Sequence, residues 1–248
     1  VTESAIALRD EFDMDPNETL RAVDVMVQTM GVDAQKAFDL ITTGTQNGLN
    51  RSGELVDNIA EYGQLWGQAG FSAEEAFSIM ENGLDAGAYN LDKVNDYVKE
   101  FGVSLADGRI QDNLSSFSTQ TQMLFAQWQN GSATTRDVFY SVIDDLSQMT
   151  NQQQALTVAS NVWSSLGEDN AMQVITALDD VCDTYDNVKG AAEGLKDVQY
   201  SDLESAVSGL GSALQENFLT PIADEVEPLL TTVLGGAANA VKAFGDAM

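Results

Sequence analysis

The sequence predicts an all-α protein. Three observations lead to this class: apolar residues recur at intervals of three and four, sustained alternation of β-branched residues is absent, and 248 residues contain only 3 prolines. Helix start signals are frequent, and glycines follow most of the periodic segments. We therefore expect helix-hairpin repeats packed into a helical domain, followed by a C-terminal amphipathic helical segment.

Most predicted helices have a start or stop signal of their own. "DPNE" at residues 15–18 supplies an N-cap Asp, a proline at the first helical position and a Glu at the third. "SAEE" at 72–75 is a capping box, and "NQQQ" at 151–154 is its glutamine variant. Glycine stop signals stand at Gly31, Gly48, Gly102, Gly131 and Gly167. The predicted helices span 2–13, 16–30, 34–47, 53–66, 73–86, 91–101, 118–129, 135–148, 152–165, 170–182, 184–198, 202–219 and 222–245.

A unit of two helices occurs twice. Residues 31–48 and 70–87 share Gly, Ala, Ala, Phe, Gly and Gly in register, 39 positions apart, and the match continues into the following helix. The apolar stripes have helical spacing, which predicts that they pack in the core. The first copy contributes Ala34, Ala37, Phe38, Ile41, Leu55, Ile59 and Tyr62, and the second Ala73, Ala76, Phe77, Met80, Val94, Val98 and Phe101.

Glycines also recur between the two copies. Gly48 and Gly87 are explained as helix C-caps. Gly44 and Gly83 lie four residues earlier, inside the last turn of each predicted helix. At such a position glycine lowers helix stability by about 1 kcal/mol relative to alanine. We expect either a close backbone approach between the two helices of a unit or an early end of the helix. Gly63 and Gly102 match as well, and Thr135, Val138, Phe139 and Val142 form a looser third stripe without the glycines.

Three regions are expected along the chain. Residues 1–105 hold the paired hairpin repeats, 106–200 form a second helical region of the same core, and 201–248 form the C-terminal segment. Residues 222–245 carry a broad apolar face, which either docks on the domain or leads to a downstream segment or a self-association face. The chain begins with Val1 and continues to Met248 without a clear stop, so we expect it to be part of a longer protein.

Charge excludes one class of partner. The sequence has 39 Asp+Glu against 11 Lys+Arg, a formal net charge of −28, and no Lys or Arg between Arg136 and Lys189. Binding of duplex DNA requires clustered basic residues, and anionic membrane surfaces attract them too. We therefore expect no direct nucleic-acid binding. The acidic surface is either solubilising or suited to a basic partner or to repulsion.

No catalytic, cofactor or metal site is predicted. The sequence lacks histidine, and Cys182 stands alone at helical spacing within an apolar stripe. "DMDPNE" at 13–18 imitates the start of a calcium loop, but it lacks the glycine and the closing glutamate of that motif. The adjacent carboxylates are best explained as solvated helix faces: Glu74–Glu75, Asp144–Asp145, Glu168–Asp169 and Asp179–Asp180. Trp66, Trp128 and Trp163 are expected in helix packing.

Residues 37–101 resemble the core region of bacteriophage tail tape measure proteins. That family carries a doubled GxxAEEAFxLLxxGxxxG motif and then a GAFNxDKVxDxxKEF segment, which correspond here to 31–48, 70–87 and 87–101. A later match over 134–169 closes on Gly-Glu-Asp, with Val162, Trp163, Ser164 and Ser165 in place of the usual Phe-Gly stretch. The resemblance covers roughly residues 20–180 and fits poorly over 106–133. From residue 201 the chain is similar to the family's exit toward hydrophobic helices.

The resemblance implies a mechanical role in the phage virion. A tape measure protein occupies the tail tube during assembly, sets the tail length and leaves ahead of the DNA during genome ejection. The implied partners are the tail tube protein, tail assembly chaperones and tail-tip proteins, together with a possible homo-oligomer. The implied locations are the virion tail and, during assembly, the host cytoplasm, while membrane contact would involve only downstream segments.

Two other classes remain open from the residues alone. An acidic helical-repeat adaptor or scaffold that binds a protein partner would show a concave groove with exposed aromatic side chains. An acidic-residue hydrolase would show a buried carboxylate with a raised pKa.

Overall fold

Helices form nearly all of the regular structure in the computed structural model, which describes residues 2–164, 171–179 and 183–195. No β-strand occurs among these residues, so the all-α prediction is confirmed. All of them belong to one compact unit, Val1–Lys196. The helices predicted over 202–219 and 222–245, together with Cys182 and Gly167, lie outside the described residues. The predicted division into 1–105, 106–200 and 201–248 stays a prediction.

Eleven α-helices in the described part of the chain are numbered in chain order. They are α1 (Thr2–Phe12), α2 (Pro16–Met30), α3 (Ala34–Gln46), α4 (Leu55–Ala69), α5 (Ala73–Asp85), α6 (Leu91–Asp107), α7 (Arg109–Asp112), α8 (Thr119–Gln129), α9 (Thr135–Gln148), α10 (Gln152–Trp163) and α11 (Ala171–Ala177). Short 3-10 turns cover Leu114–Ser116 and Asp183–Tyr185, and residues 191–195 are helical. No helix among the described residues is both long and apolar enough to cross a membrane.

The helices stack in two rows. Helices α1, α3, α5 and α11 contact one another in that order, and α2, α4 and α6 form a second row beside them. Helix α9 contacts α6, α8, α10 and α11, and so joins the later helices to the stack. One apolar core runs through these elements, because each helix turns its stripe toward the neighbouring row. The helix-hairpin repeats are thus the frame on which the remaining helices pack.

Side-chain caps fix where most helices begin. Asp15 accepts from the amides of Asn17 and Glu18, Asp33 accepts from Lys36, and Ser72 forms a reciprocal capping box with Glu75. Asn90, Ser118, Thr134 and Asn151 cap later helices in the same way. Each cap satisfies an amide that the first turn would otherwise leave unpaired. The predicted starts at 16, 34, 73, 91, 135 and 152 are confirmed.

Several predicted boundaries are wrong. The helix predicted over 170–182 ends at Ala177, where a turn follows. Gly102 does not end α6, because Ser104 and Leu105 continue the buried stripe and the helix runs to Asp107. Helix α4 passes Trp66 and ends at Ala69, before Gly70 with φ +91°. The helix predicted over 184–198 does not begin at 184, since a 3-10 turn ends at Tyr185 and Gly190 has φ +87°.

The 39-residue spacing extends further toward the N-terminus than the sequence patterns indicate. Helix α2 (Pro16–Met30) and helix α4 (Leu55–Ala69) begin and end 39 positions apart. Each is followed by a glycine with positive φ, Gly31 at +72° and Gly70 at +91°. Helix α2 is therefore the structural counterpart of α4, although their apolar residues do not match well in type.

Candidate functional site

The predicted packing residues take similar environments in the two copies. Phe38 is 0% exposed and Phe77 is 1% exposed. Tyr62 and Gly48 are half-buried and Gly87 is exposed. The other predicted packing positions are buried: Ala37, Ile41, Gly44, Leu55, Ile59, Ala76, Met80, Gly83, Val94, Val98 and Phe101.

The repeated glycines form the same helix ending twice. In the first copy the Leu49 amide donates to the Gly44 carbonyl at 2.8 Å and the Gly48 amide donates to Thr45 at 3.0 Å. In the second copy Ala88 donates to Gly83 at 2.9 Å and Gly87 donates to Leu84 at 3.0 Å. Gly48 and Gly87 have φ of +92° and +99°, the left-handed conformation that this Schellman ending requires.

Glycine is required at positions 44 and 83 by neighbouring side chains, and not by a close approach of two backbones. A Cβ on Gly44 would lie 2.9 Å from the Phe77 ring, and one on Gly83 would lie 2.5 Å from Val94. Helices α3 and α5 both continue past these glycines, to Gln46 and Asp85. The expected early helix end is therefore wrong, and the close neighbour in each case is an apolar side chain of another helix.

A chain of aromatic rings joins the repeats to the later helices. Trp66 contacts Phe71 with ring centroids 5.1 Å apart, and Phe71 contacts Phe139 at 5.5 Å. Phe101 contacts both Phe139 at 5.1 Å and Trp163 at 5.5 Å. Phe139 belongs to the looser third stripe, so that stripe packs in the same core. Aromatic pairs with this geometry stabilise a core beyond the area that they bury.

Buried amides connect α4 with α6. The indole nitrogen of Trp66 donates to the Asn95 side chain at 2.8 Å, and Asn95 donates to Asn58 at 2.8 Å. Asn58 and Asn95 are 4% and 0% exposed. Each side-chain amide also donates to a carbonyl one turn earlier in its own helix, Glu54 or Leu91. Sequence reasoning missed this network, because asparagine in a helix is usually exposed.

One buried carboxylate holds a distant part of the chain. Asp39 is 1% exposed and accepts from the amides of Gly190 and Ala192, each at 3.0 Å, and from the Gln35 side chain at 3.1 Å. These bonds cap the helical turn at 191–195, whose first amides have no partner in their own turn. Asp39 therefore fixes the position of this turn on α3.

The same segment is held at two more points. The Tyr185 hydroxyl donates to Glu81 in α5, and the Tyr185 ring packs 5.5 Å from Phe77. The Lys36 ammonium donates to the Tyr185 and Asp186 carbonyls at 3.4 and 3.5 Å. Residues 183–195 thus lie across both copies of the repeat and bury Tyr185, Val188 and Ala192.

Carboxylates that could suggest acid-base chemistry have structural partners. Glu75 closes the capping box of α5 and accepts from Arg136 in α9 at 2.7 Å, and Glu74 pairs with Lys36 at 3.2 Å. Burial raises the pKa of the Tyr140 hydroxyl far above its usual value, and the neighbouring Glu75 adds to the rise. These contacts tie the second copy of the repeat to α9.

Of the remaining carboxylate pairs, only Asp144–Asp145 lies wholly within the described residues. Asp145 accepts from the Ser118 amide at 2.8 Å and from the Thr121 hydroxyl at 2.6 Å, so it joins α9 to α8. Asp144 accepts from Gln148 in its own helix. Asp180 and the pair Glu168–Asp169 lie outside the described residues. Among residues that the structure describes, no group of carboxylate or thiol side chains could hold a metal ion.

Two surface grooves differ in their charge. One, of about 430 Å³, lies beside the α1–α2 turn and is lined in part by Asp13, Asp15, Glu18 and Arg51. The other, of about 370 Å³, is lined by Asn113, Ser116, Asn151, Gln153, Gln154, Thr157, Val158 and Asn161. The second groove therefore has no ionisable side chain in its lining.

Comparison with known proteins points to one family. The family described as phage-related minor tail protein matches residues 1–203. A probable tape measure protein of Streptomyces phage phiC31 is 26% identical over 217 residues, which are 86% of this chain and 30% of that protein. No solved structure matches the chain.

Proposed function

Because the chain belongs to the phage-related minor tail protein family, it is a structural component of a phage tail, and we propose that it is a section of a tape measure protein. The family match over residues 1–203 is the observation that carries this proposal. The chain spans about a third of the length of the curated relative that it matches, which is named a probable tape measure protein. The whole protein would therefore be much longer than these residues.

In this proposal the protein occupies the tail tube during assembly, sets the length of the tube and leaves ahead of the genome. The tail tube protein, assembly chaperones and tail-tip proteins are the partners that such a role needs. The described side chains are consistent with a mechanical role. Buried Asp39, Asn58 and Asn95 bind backbone or other side chains of the same chain. Glu74, Glu75 and Asp145 cap or join helices.

The proposed ruler is tested by changing residue count. An α-helix rises 1.5 Å per residue, so removing whole turns from a helical segment outside the 39-residue repeats should shorten the tail by about 1.5 Å for each residue lost. The measurement is electron microscopy of tails from phage that carry in-frame deletions in the full-length gene. Deletion of one repeat unit should instead block assembly, because it removes a packing partner from the core.

A single substitution serves as the control, because it changes side-chain chemistry without changing the number of residues. Replacing Glu75 by Gln in the same phage should leave tail length unchanged, even if folding yield falls. Tails of unchanged length after a viable downstream deletion would refute the ruler and favour a helical adaptor instead.

A further inference from the structure

The dipeptide Asn-Gly occurs three times in the sequence, at 47–48, 82–83 and 130–131. In water an asparagine before glycine can lose its side-chain amide, because glycine has no Cβ to keep its backbone nitrogen away from the side-chain carbonyl carbon. The reaction needs both residues to move, so a folded protein permits it only where the backbone opens locally. The contacts that hold the three sites therefore decide which of them reacts.

Two of the dipeptides are held in place by the core. The Asn47 side-chain amide donates to Glu81 in α5 at 3.3 Å. Gly48 lies under the Arg51 side chain, and a Cβ on this glycine would be 2.6 Å from the Arg51 Nε. Gly83 is buried within α5, and its amide belongs to the hydrogen-bond ladder of that helix. Opening at either dipeptide would disturb the packing of the repeats.

The third dipeptide lies on the surface, in the turn between α8 and α9. Asn130 and Gly131 are both exposed, and no atom would lie within 4 Å of a Cβ on Gly131. The Gly131 amide donates to the Trp128 carbonyl at 3.0 Å, but this bond lies at the end of α8, where helices fray. The Ser132 amide donates to the Asn130 side-chain oxygen at 3.1 Å, which makes the side-chain carbonyl carbon a better electrophile.

We propose that Asn130 is a site of spontaneous deamidation, and that the fold protects Asn47 and Asn82 from the same reaction. The deprotonated Gly131 nitrogen attacks the Asn130 Cγ, the new C–N bond closes a succinimide ring, and the side-chain nitrogen leaves as ammonia. Water then adds to either ring carbonyl carbon and breaks the bond from that carbon to the ring nitrogen. The product is isoaspartate or aspartate at position 130, and no oxidant or reductant is consumed.

The conversion changes the connection between α8 and α9. It adds one negative charge, and isoaspartate also lengthens the backbone of the turn by one carbon atom. The two helices pack on each other, and the Trp128 indole nitrogen donates to the Thr135 hydroxyl at 3.2 Å across this turn. We therefore expect the packing of α8 on α9 to loosen. A phage tail makes no new protein, so converted copies accumulate as a particle ages.

Peptide mapping of the 248-residue chain by mass spectrometry tests the proposal. The folded protein is incubated at mildly alkaline pH in heavy-oxygen water, which marks new deamidation, and an isoaspartate methyltransferase labels the isoaspartate product. Conversion at Asn130 should be about tenfold or more faster than at Asn47 or Asn82, because only this site opens without disturbing the core. In urea the rates at Asn47 and Asn130 should become similar, since a glutamine precedes and a glycine follows each of them.

Two variants identify the source of the ammonia. Asn130→Gln should remove most of the ammonia release from the folded chain, because glutamine would have to close a larger ring, which forms much more slowly. Asn47→Gln is the matched control and should leave the release nearly unchanged. Equal conversion of Asn47 and Asn130 in the folded chain would overturn the proposal. An Asn130 that converts in urea but not in the folded chain would overturn it as well.

A further measurement tests the expected loosening of the hairpin. Amide hydrogen exchange in α8 should be faster in converted protein than in fresh protein, whereas exchange in α3 and α5 should not change. Equal exchange in α8 before and after conversion would overturn this consequence.

Discussion

Phe77 illustrates how single residues hold the repeats together. Its ring lies where a Cβ on Gly44 would be only 2.9 Å away, and it packs against Tyr185 from the distant segment 183–195. One side chain thus joins the first copy, the second copy and a segment more than a hundred residues later. A glycine at position 44 follows from this contact, since any larger side chain would displace the ring.

Truncating this residue should be costly. Phe77→Ala should lower the free energy of unfolding by about 3–5 kcal/mol, as deletion of a large buried ring does in other cores. Phe38→Ala should have a similar effect, because Phe38 is equally buried. Urea unfolding followed by circular dichroism measures both. A loss below about 1 kcal/mol for either variant would show that its face is not core.

The Asp39 carboxylate should be equally testable. Asp39→Asn keeps the shape but replaces one acceptor oxygen with a donor, so the Gly190 or Ala192 amide loses its partner. We expect a loss of about 1–3 kcal/mol in unfolding free energy. Amide hydrogen exchange at Gly190 and Ala192 should also become faster. Asp96→Asn, at an exposed position in the interior of α6, is the control and should change neither quantity appreciably.

At the scale of single residues, prediction from sequence succeeds where an amino-acid type has one usual structural role. Phe38 and Phe77 on helical stripes could be predicted as buried, and Asp15 and Ser72 could be predicted as caps. Asp39 could not, because aspartate is almost always exposed unless it is paired, and its partners lie 151 and 153 residues away. No local pattern contains that information.

At the scale of elements, equivalent helices pack in different ways. Helix α4 approaches α2 so closely that a Cβ on Gly67 would lie 2.1 Å from the Thr29 carbonyl oxygen. Thr29 also donates its hydroxyl to the Gly63 carbonyl at 3.1 Å. The counterpart of Gly63 in α6 is Gly102, and no atom would lie within 4 Å of its Cβ. Helix α6 is instead joined to α4 through Trp66 and the buried amides.

The same substitution should therefore have opposite effects in α4 and α6. Gly67→Ala should destabilise the fold by about 1–3 kcal/mol, because the added carbon collides with backbone that cannot move easily. Gly102→Ala should stabilise it by about 0.5–1 kcal/mol, since alanine favours a helix and the space is open. Thermal and urea unfolding of the two variants provide the comparison. Effects of the same sign would contradict the difference in packing.

Element-scale prediction works from caps and fails at interior glycines. Starts that depend on Asp15, Ser72 or Asn151 could be predicted because the capping residue is local. Gly102 was wrongly predicted as a stop, since a glycine signals a helix end only when the apolar stripe also ends. The segment after Asp183 was wrongly predicted as one helix, because Tyr185 is placed by its contacts with α5 and not by local preference.

At the scale of the whole molecule, the net negative charge disfavours binding to duplex DNA. A net charge of −28 leaves no basic stripe that could release counterions from DNA. We expect negligible binding to duplex DNA at physiological salt. A gel-shift titration with a basic DNA-binding domain as positive control checks this. A clear shift that weakens with added salt would contradict the expectation.

The contact between α3 and residues 183–195 also affects how the protein is made. A ribosome adds roughly 5–20 residues per second, so on the order of ten seconds separate the synthesis of Asp39 from that of Ala192. During this interval the nascent chain presents the Asp39 carboxylate and one edge of the Phe77 ring without the segment that later covers them. We expect ribosome-stalled chains that end before Asp183 to bind a hydrophobic dye that released chains exclude. The order of synthesis thus leaves this face open to a chaperone before the chain closes it.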